Sequence, residues 1–190
     1  VVQGHDVAGE RAAARVARHP DARGIDGTLE ILKILEGAGE RDLVLCLISG
    51  GGSALLIAPS EGIHLADKQA ATKNLLACGA TIHEINTIRK HLSRAKGGQL
   101  AAAAHPAAVV SLILSDVVGD DLDVIGSGPT VPDRSSYRDA LEILQRYEIW
   151  ERTPDSVRER LSQGSAGVLA ETPKPGDPAF RLCHDGERLY

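Results

Sequence analysis

Three short stretches bring together residues that could do chemistry. Ser49-Gly50-Gly51-Gly52-Ser53 follows directly on an apolar run. Consecutive glycines permit positive φ and leave their backbone N–H groups open, so the loop can curve into a nest of donors around an anion. If Ser53 begins a helical turn, the positive end of that dipole adds to the effect. No G-K-[ST] follows, so this is not a Walker loop, and the G-x-G-x-x-G dinucleotide fingerprint is absent. A plain strand-to-helix turn is the alternative, but three glycines between two serines exceed what a turn requires. Phosphate or carboxylate contact is the expectation.

The second stretch, Glu84 to Lys96, predicts a helix over about 83–95. Ile85, Ile88, Leu92 and Ala95 make its apolar stripe. Asn86, Arg89, Ser93 and Lys96 make a polar stripe about 100° around it. Arg89 offers a planar fork for phosphate or carboxylate, and Lys90 and Lys96 offer point charges. A solvated basic face is the competing reading.

The third stretch holds Asp116, Asp120, Asp121 and Asp123. Asp116 falls immediately after a second apolar run, where α/β folds place ligand-contacting groups. Asp116 and Asp120 are the candidate magnesium ligands, because hard carboxylates beside a phosphate loop suit that ion. Asp121 and Asp123 read as turn residues. Gly126-Ser127-Gly128-Pro129-Thr130 adds a weaker signal, with Ser127 and Gly128 as candidates for a second anion-contacting turn. No histidine stands in a metal spacing, and His83 and His91 read as structural. Cys46 reads as strand core and Cys78 as helix packing.

The elements that must position these residues follow from periodicity. Asp42–Ile48 and Val109–Leu114 are continuous apolar runs of strand length, expected to be covered on both faces as in a parallel sheet. Helices are expected at Glu10–His19, from a Thr28 cap to Gly37, at 66–78, 83–95, 99–104, 137–147 and 156–161. Glu171–Pro178 carries three prolines in eight residues and cannot be regular. Strands alternating with helices predict α/β.

Composition narrows the function classes. The chain has 190 residues, 43% hydrophobic and 25% charged, with a formal charge of −5. That is ordinary for one globular domain. The acidic balance and five aromatics argue against a nucleic-acid binder, and no apolar run reaches membrane-spanning length. Three scattered cysteines give no disulfide framework, and a cytoplasmic setting is the default. The absence of methionine and the small number of strands predict a fragment.

Three motifs taken in order resemble the glycerate 2-kinase family: L-I-S-G-G-G-S-A-L-L, H-E-I-N-T-I-R-K-H-L-S-R-A-K-G-G, and L-I-L-S-D-V-V-G-D-D-L-D-V-I-G-S-G-P-T-V-P-D. The likeness is close over about 42–133 and looser to 178, while residues 1–16 and the last eight depart from it. Some members of that family carry the older label hydroxypyruvate reductase. The resemblance implies a Rossmann-like three-layer domain with a mostly parallel sheet, here incomplete. It would run over residues 1–164, with an irregular linker or tail at 165–190 and the second domain absent. It also implies transfer of the ATP γ-phosphoryl group to glycerate with Mg2+, no membrane or nucleic-acid partner, and room for a homo-oligomer. Carried over by position, Ser49 to Ser53 would hold phosphate or the acid. Arg89, Lys90 and Lys96 would supply positive charge, and Asp116 and Asp120 would organise metal or substrate. Two other classes stay open: an oxidoreductase acting on hydroxypyruvate, and a non-catalytic module binding sugar acids or other anions.

Overall fold

A computed structural model describes residues 21–49, 51–115 and 119–180. The helix expected at Glu10–His19 lies outside them, as do Gly50 and Asp116. Helix α1 (Ala22–Glu36) leads into strand β1 (Leu43–Ser49) and the single-turn helix α2 (Gly52–Leu55). Helices α3 (Leu65–Ala77), α4 (Ile82–His91) and α5 (Gln99–Ala104) precede strand β2 (Ala108–Leu114), and α6 (Tyr137–Arg146) and α7 (Asp155–Ser165) follow it. The strands pair in parallel, with Leu43 opposite Ala108 and Ser49 opposite Leu114. The α/β class and the parallel sheet are as expected.

The sheet differs from expectation in its covering. Val44 and Cys46, with Val109 beside them, pack against Leu32 and Leu35 of α1 and Leu100 and Ala104 of α5. The alternate residues Leu43, Leu45, Leu47, Val110, Leu112 and Leu114 face outward, with Leu47 and Leu114 more than 70% exposed. Successive strand side chains take opposite faces. A continuous apolar run therefore looks covered on both faces in sequence, even where the described residues cover one.

A second core joins α3, α4, α6 and α7 around Leu75, Ile88, Tyr137, Leu144, Val157 and Leu161. Each such side chain contributes roughly 1.5–3 kcal/mol when fully buried. The Tyr137 ring lies against the Cα of Gly164 on α7. A Cβ built there would come within 2.2 Å of the ring, so α6 and α7 meet through a missing side chain.

Two local expectations change. Asp21, not Thr28, caps α1, accepting from the Gly24 amide at 3.2 Å. Thr28 sits buried inside the helix, where its hydroxyl donates to the Gly24 carbonyl and accepts from the Ile57 amide. Helix α4 ends at His91 rather than at residue 95. The backbone beyond it pairs with another segment instead: Arg94 donates to the Ala58 carbonyl at 2.8 Å, and Ser60 to the Leu92 carbonyl at 3.1 Å.

Residues 166–180 are irregular apart from one 3-10 turn, Pro178–Phe180, but they are tied to the body. Thr172 donates to Asp133 at 2.9 Å, the Asp133 amide donates to Pro173, and Phe180 packs over Gly98.

Candidate active site

The candidate site lies where the loop after β1 meets α4 and the turn at Ile125–Ser127. Gly51 adopts φ +78°, a conformation glycine takes without strain, and so turns β1 into α2. Among the described residues, nothing lies within 4 Å of where a Cβ on Gly51 or Gly52 would stand. Ser53 falls in the first turn of α2, as its sequence context predicts.

Two cations converge on Ser53. Arg89 Nη2 donates to its Oγ at 2.6 Å and to its carbonyl at 3.3 Å. Lys96 Nζ donates to the same two oxygens at 3.0 Å each, and to the Gly126 carbonyl at 3.1 Å. The Ser127 hydroxyl lies 3.1 Å from Ser53 Oγ and donates to Asn86 Oδ1 at 2.9 Å. With its own proton committed to Asn86, Ser127 must accept from Ser53. The result is an oriented chain, Ser53 to Ser127 to Asn86, with both cations at its head.

The turn that delivers Ser127 is unusual. Gly126, Ser127 and Gly128 have φ of 63°, 65° and 60°, and Ser127 is fully buried. A non-glycine residue held there stores strain of about 1–2 kcal/mol. What holds it is a backbone seam. The Gly97 amide donates to Ser127, Gly98 to Gly128 at 2.7 Å, and Leu100 to Pro129. A Cβ on Gly97 would crowd Lys90 and Asp133, and one on Gly98 would strike Phe180 and the Val131 carbonyl at 2.8 Å. Glycine is required at both positions for this close approach.

The solvated-face reading of the basic stretch does not hold. Lys90 and Lys96 are only 1% and 2% exposed. Burial, then the charges of Arg89 and Lys68, push the Lys96 ammonium well below its ordinary range. Burial also lowers Arg89, which stays charged at any working pH. Lys96 reaches Ser53 by the turn after α4 rather than by helical periodicity.

Lys90 stands apart from the other two. Its Nζ pairs with Asp123 and, at 3.3 Å, with fully buried Asp133. Burial raises the Asp133 carboxyl, but Lys90 and the donors of Ser135 outweigh it and hold the group below its usual value. Next to this pair, His91 Nδ1 donates to the Thr87 carbonyl at 2.7 Å, and its Nε2 meets Glu171 at 3.1 Å. These contacts fasten α4 to the segment after α7.

Of the remaining candidates, Ser49 ends β1 exposed, and Gly128 shapes the seam. Asp120 is exposed, with φ 51°. Among the described residues, no group of three or more histidine, cysteine or acidic side chains could hold a metal. The cluster at Ser53 presents cations and neutral oxygens, an unsuitable donor set for magnesium. Its donors are of a kind that would suit an anion.

Lys68 is the residue that reading the sequence missed. It is 8% exposed, and its Nζ has no hydrogen-bond partner among the described residues. The signal was present, since Lys68, Ala71 and Leu75 are the buried residues of α3 and share one helical stripe.

Comparison with known proteins places this geometry in a group. A crystal structure of glycerate kinase from Thermotoga maritima matches with a TM-score of 0.75 and 48% identity, over 83% of this chain and 36% of that one. The glycerate 2-kinase of Pyrococcus horikoshii is 52% identical over 159 residues, covering 84% of this chain and 36% of that protein. An Agrobacterium vitis protein with the provisional name hydroxypyruvate reductase is 49% identical over 181 residues, 94% of this chain and 40% of its own. The chain thus spans little more than a third of the length of these relatives. The profile of a domain of unknown function, DUF4147, matches residues 1–162. That match takes in residues 1–16, which the motif likeness leaves out. With a family match across most of its length and a kinase structure sharing its fold, the chain belongs to the DUF4147 family.

Proposed function

We propose that this chain is the part of a glycerate kinase that holds an oxyanion at the Ser53 loop during phosphoryl transfer from ATP to glycerate, giving 2-phosphoglycerate. One observation carries the reading: Arg89 and Lys96 converge on Ser53 beneath open glycine backbone, with no carboxylate paired to either cation among the described residues. The kinase names of relatives at about 50% identity support it.

In the transfer, a glycerate hydroxyl oxygen bonds to the γ-phosphorus, the bond from that phosphorus to the β–γ bridging oxygen breaks, and the hydroxyl proton is released. Such a reaction needs positioning and stabilisation of charge on the moving group. Arg89 supplies a planar pair of donors and Lys96 a point charge. The Ser53–Ser127–Asn86 chain fixes the hydroxyl that both cations grip. Magnesium would have to be held away from this cluster. Asp120 is the candidate ligand among the described residues.

The test is incubation of the full-length protein with ATP, magnesium and D-glycerate, followed by phosphorus NMR. Appearance of 2-phosphoglycerate is expected, with loss of at least ~100-fold in kcat/KM for Arg89→Ala. NADH oxidation by hydroxypyruvate without glycerate phosphorylation would overturn the reading. The provisional name of the Agrobacterium relative is what keeps that alternative in the experiment.

A further inference from the structure

A buried lysine normally finds a carboxylate. Lys90 has two, Asp123 and Asp133. Lys68, 8% exposed, has none among the described residues, nor any neutral acceptor for its Nζ. An ammonium taken out of water without a partner is strongly unfavourable, and such an orphan asks for an explanation.

The charges that act on Lys68 from the elements around it are all positive: Arg89 from α4, Arg160 from α7, and Lys96 from the turn after α4. Arg160 is itself fastened by its Nε to the His91 carbonyl at 2.9 Å. Arg89 and Lys96 are the two groups that grip Ser53. Lys68 therefore adds an unpartnered ammonium to a cluster of positive groups with no acid paired to it among the described residues, a setting that favours an anionic ligand.

We propose that Lys68 is a substrate-binding residue of the Ser53 site, its ammonium pairing with an oxyanion, phosphoryl or carboxylate, of the incoming substrate. This deepens the phosphoryl-transfer reading and rests on it for the identity of the ligand, while the unpartnered charge stands independently. Burial, followed by Arg89 and Arg160, pushes the Lys68 ammonium down to about 7. An arriving anion favours the charged form, so its binding draws in a proton at pH 7.5.

The experiment is calorimetric titration of the full-length protein and its Lys68→Met variant with inorganic phosphate, ATP and D-glycerate. It is run at pH 7.5 in two buffers of different ionisation enthalpy. The wild type is expected to take up protons on binding the ligand that meets Lys68. Lys68→Met should weaken that ligand at least ~10-fold and abolish the uptake, while leaving Tm equal or higher because a buried nitrogen without a hydrogen-bond partner is gone. Loss confined to phosphate and ATP identifies a phosphoryl group, and loss confined to glycerate identifies the carboxylate. Unchanged affinities for all three, or a lower Tm with unchanged affinities, overturn the proposal. Should the variant fail to fold, NMR titration of the Lys68 side chain in the wild type decides. Its midpoint must rise when phosphate or glycerate is present, and an unmoved midpoint overturns the assignment. A wild type that turns over glycerate while Lys68→Met keeps its kcat and KM sinks this inference alone. One that binds phosphate through Lys68 without phosphorylating glycerate sinks only the kinase reading.

Discussion

The hydroxyls of Ser53 and Ser127 stand 3.1 Å apart across 74 residues of chain, and each is placed by a left-handed glycine turn, at Gly51 and at Gly126. Ser127 contributes both a hydroxyl and a strained backbone, and substitution separates them. Ser127→Ala loses the bonds to Ser53 and Asn86 and keeps the strain. Ser127→Gly loses the same bonds and relieves it. Urea denaturation should find the alanine variant less stable than the glycine variant by about 1 kcal/mol, with kcat/KM reduced to a similar degree in both. Equal stabilities would mean that the turn carries no strain.

Lys90 is expected to act on stability. Lys90→Met leaves Asp133 buried, its lost charge partner not replaced by Ser135 or Thr172. Breaking one side of a buried pair costs about 3–5 kcal/mol. Denaturant midpoints should fall accordingly, and Asp133→Asn in the same background should recover part of the loss. A stable Lys90→Met protein with turnover abolished would instead return Lys90 to the reacting atoms.

Glu171 should govern acid stability. Burial raises its carboxyl, but His91, the Tyr137 amide and Lys174 outweigh that and hold it at about 2 against an ordinary 4.5. A depressed folded value means the stabilisation is complete above pH 4.5 and is lost as pH falls towards 2. Glu171→Gln should therefore lower Tm at pH 7 and flatten its decline between pH 4.5 and 2. An unaltered slope in that window would remove Glu171 from the account.

Much of this arrangement was legible in the chain, and the failures have physical causes. Glycine punctuation located the turn into Ser53 and the helix Gln99–Ala104, because φ constraints are local. Periodicity placed Arg89 and Asn86 correctly, but it extended α4 too far, since backbone pairing of 92–94 with 58–60 is a tertiary effect. Adjacency grouped Lys90 with Arg89, yet one residue along a helix is a 100° rotation, enough to send it to Asp133 instead of Ser53. Lys68 escaped because a lysine in a helix is assumed to face water, although it shares a stripe with Ala71 and Leu75. Residue type alone points to Thr28 as the cap, whereas the carboxylate of Asp21, seven residues earlier, fills that place. The outward strand face could not be foreseen, because a leucine looks the same in sequence whether or not a layer covers it.

The seam of Gly97 and Gly98 against Ser127 and Gly128 ties two walls of the candidate site together through their main chains. Neither wall can be lengthened, shortened or re-aimed independently without unzipping the other. Diversification of ligand preference on this scaffold is thereby confined to exchanging side chains at fixed anchor points. Loop grafting, the usual engineering route to a new substrate, is the wrong tool here.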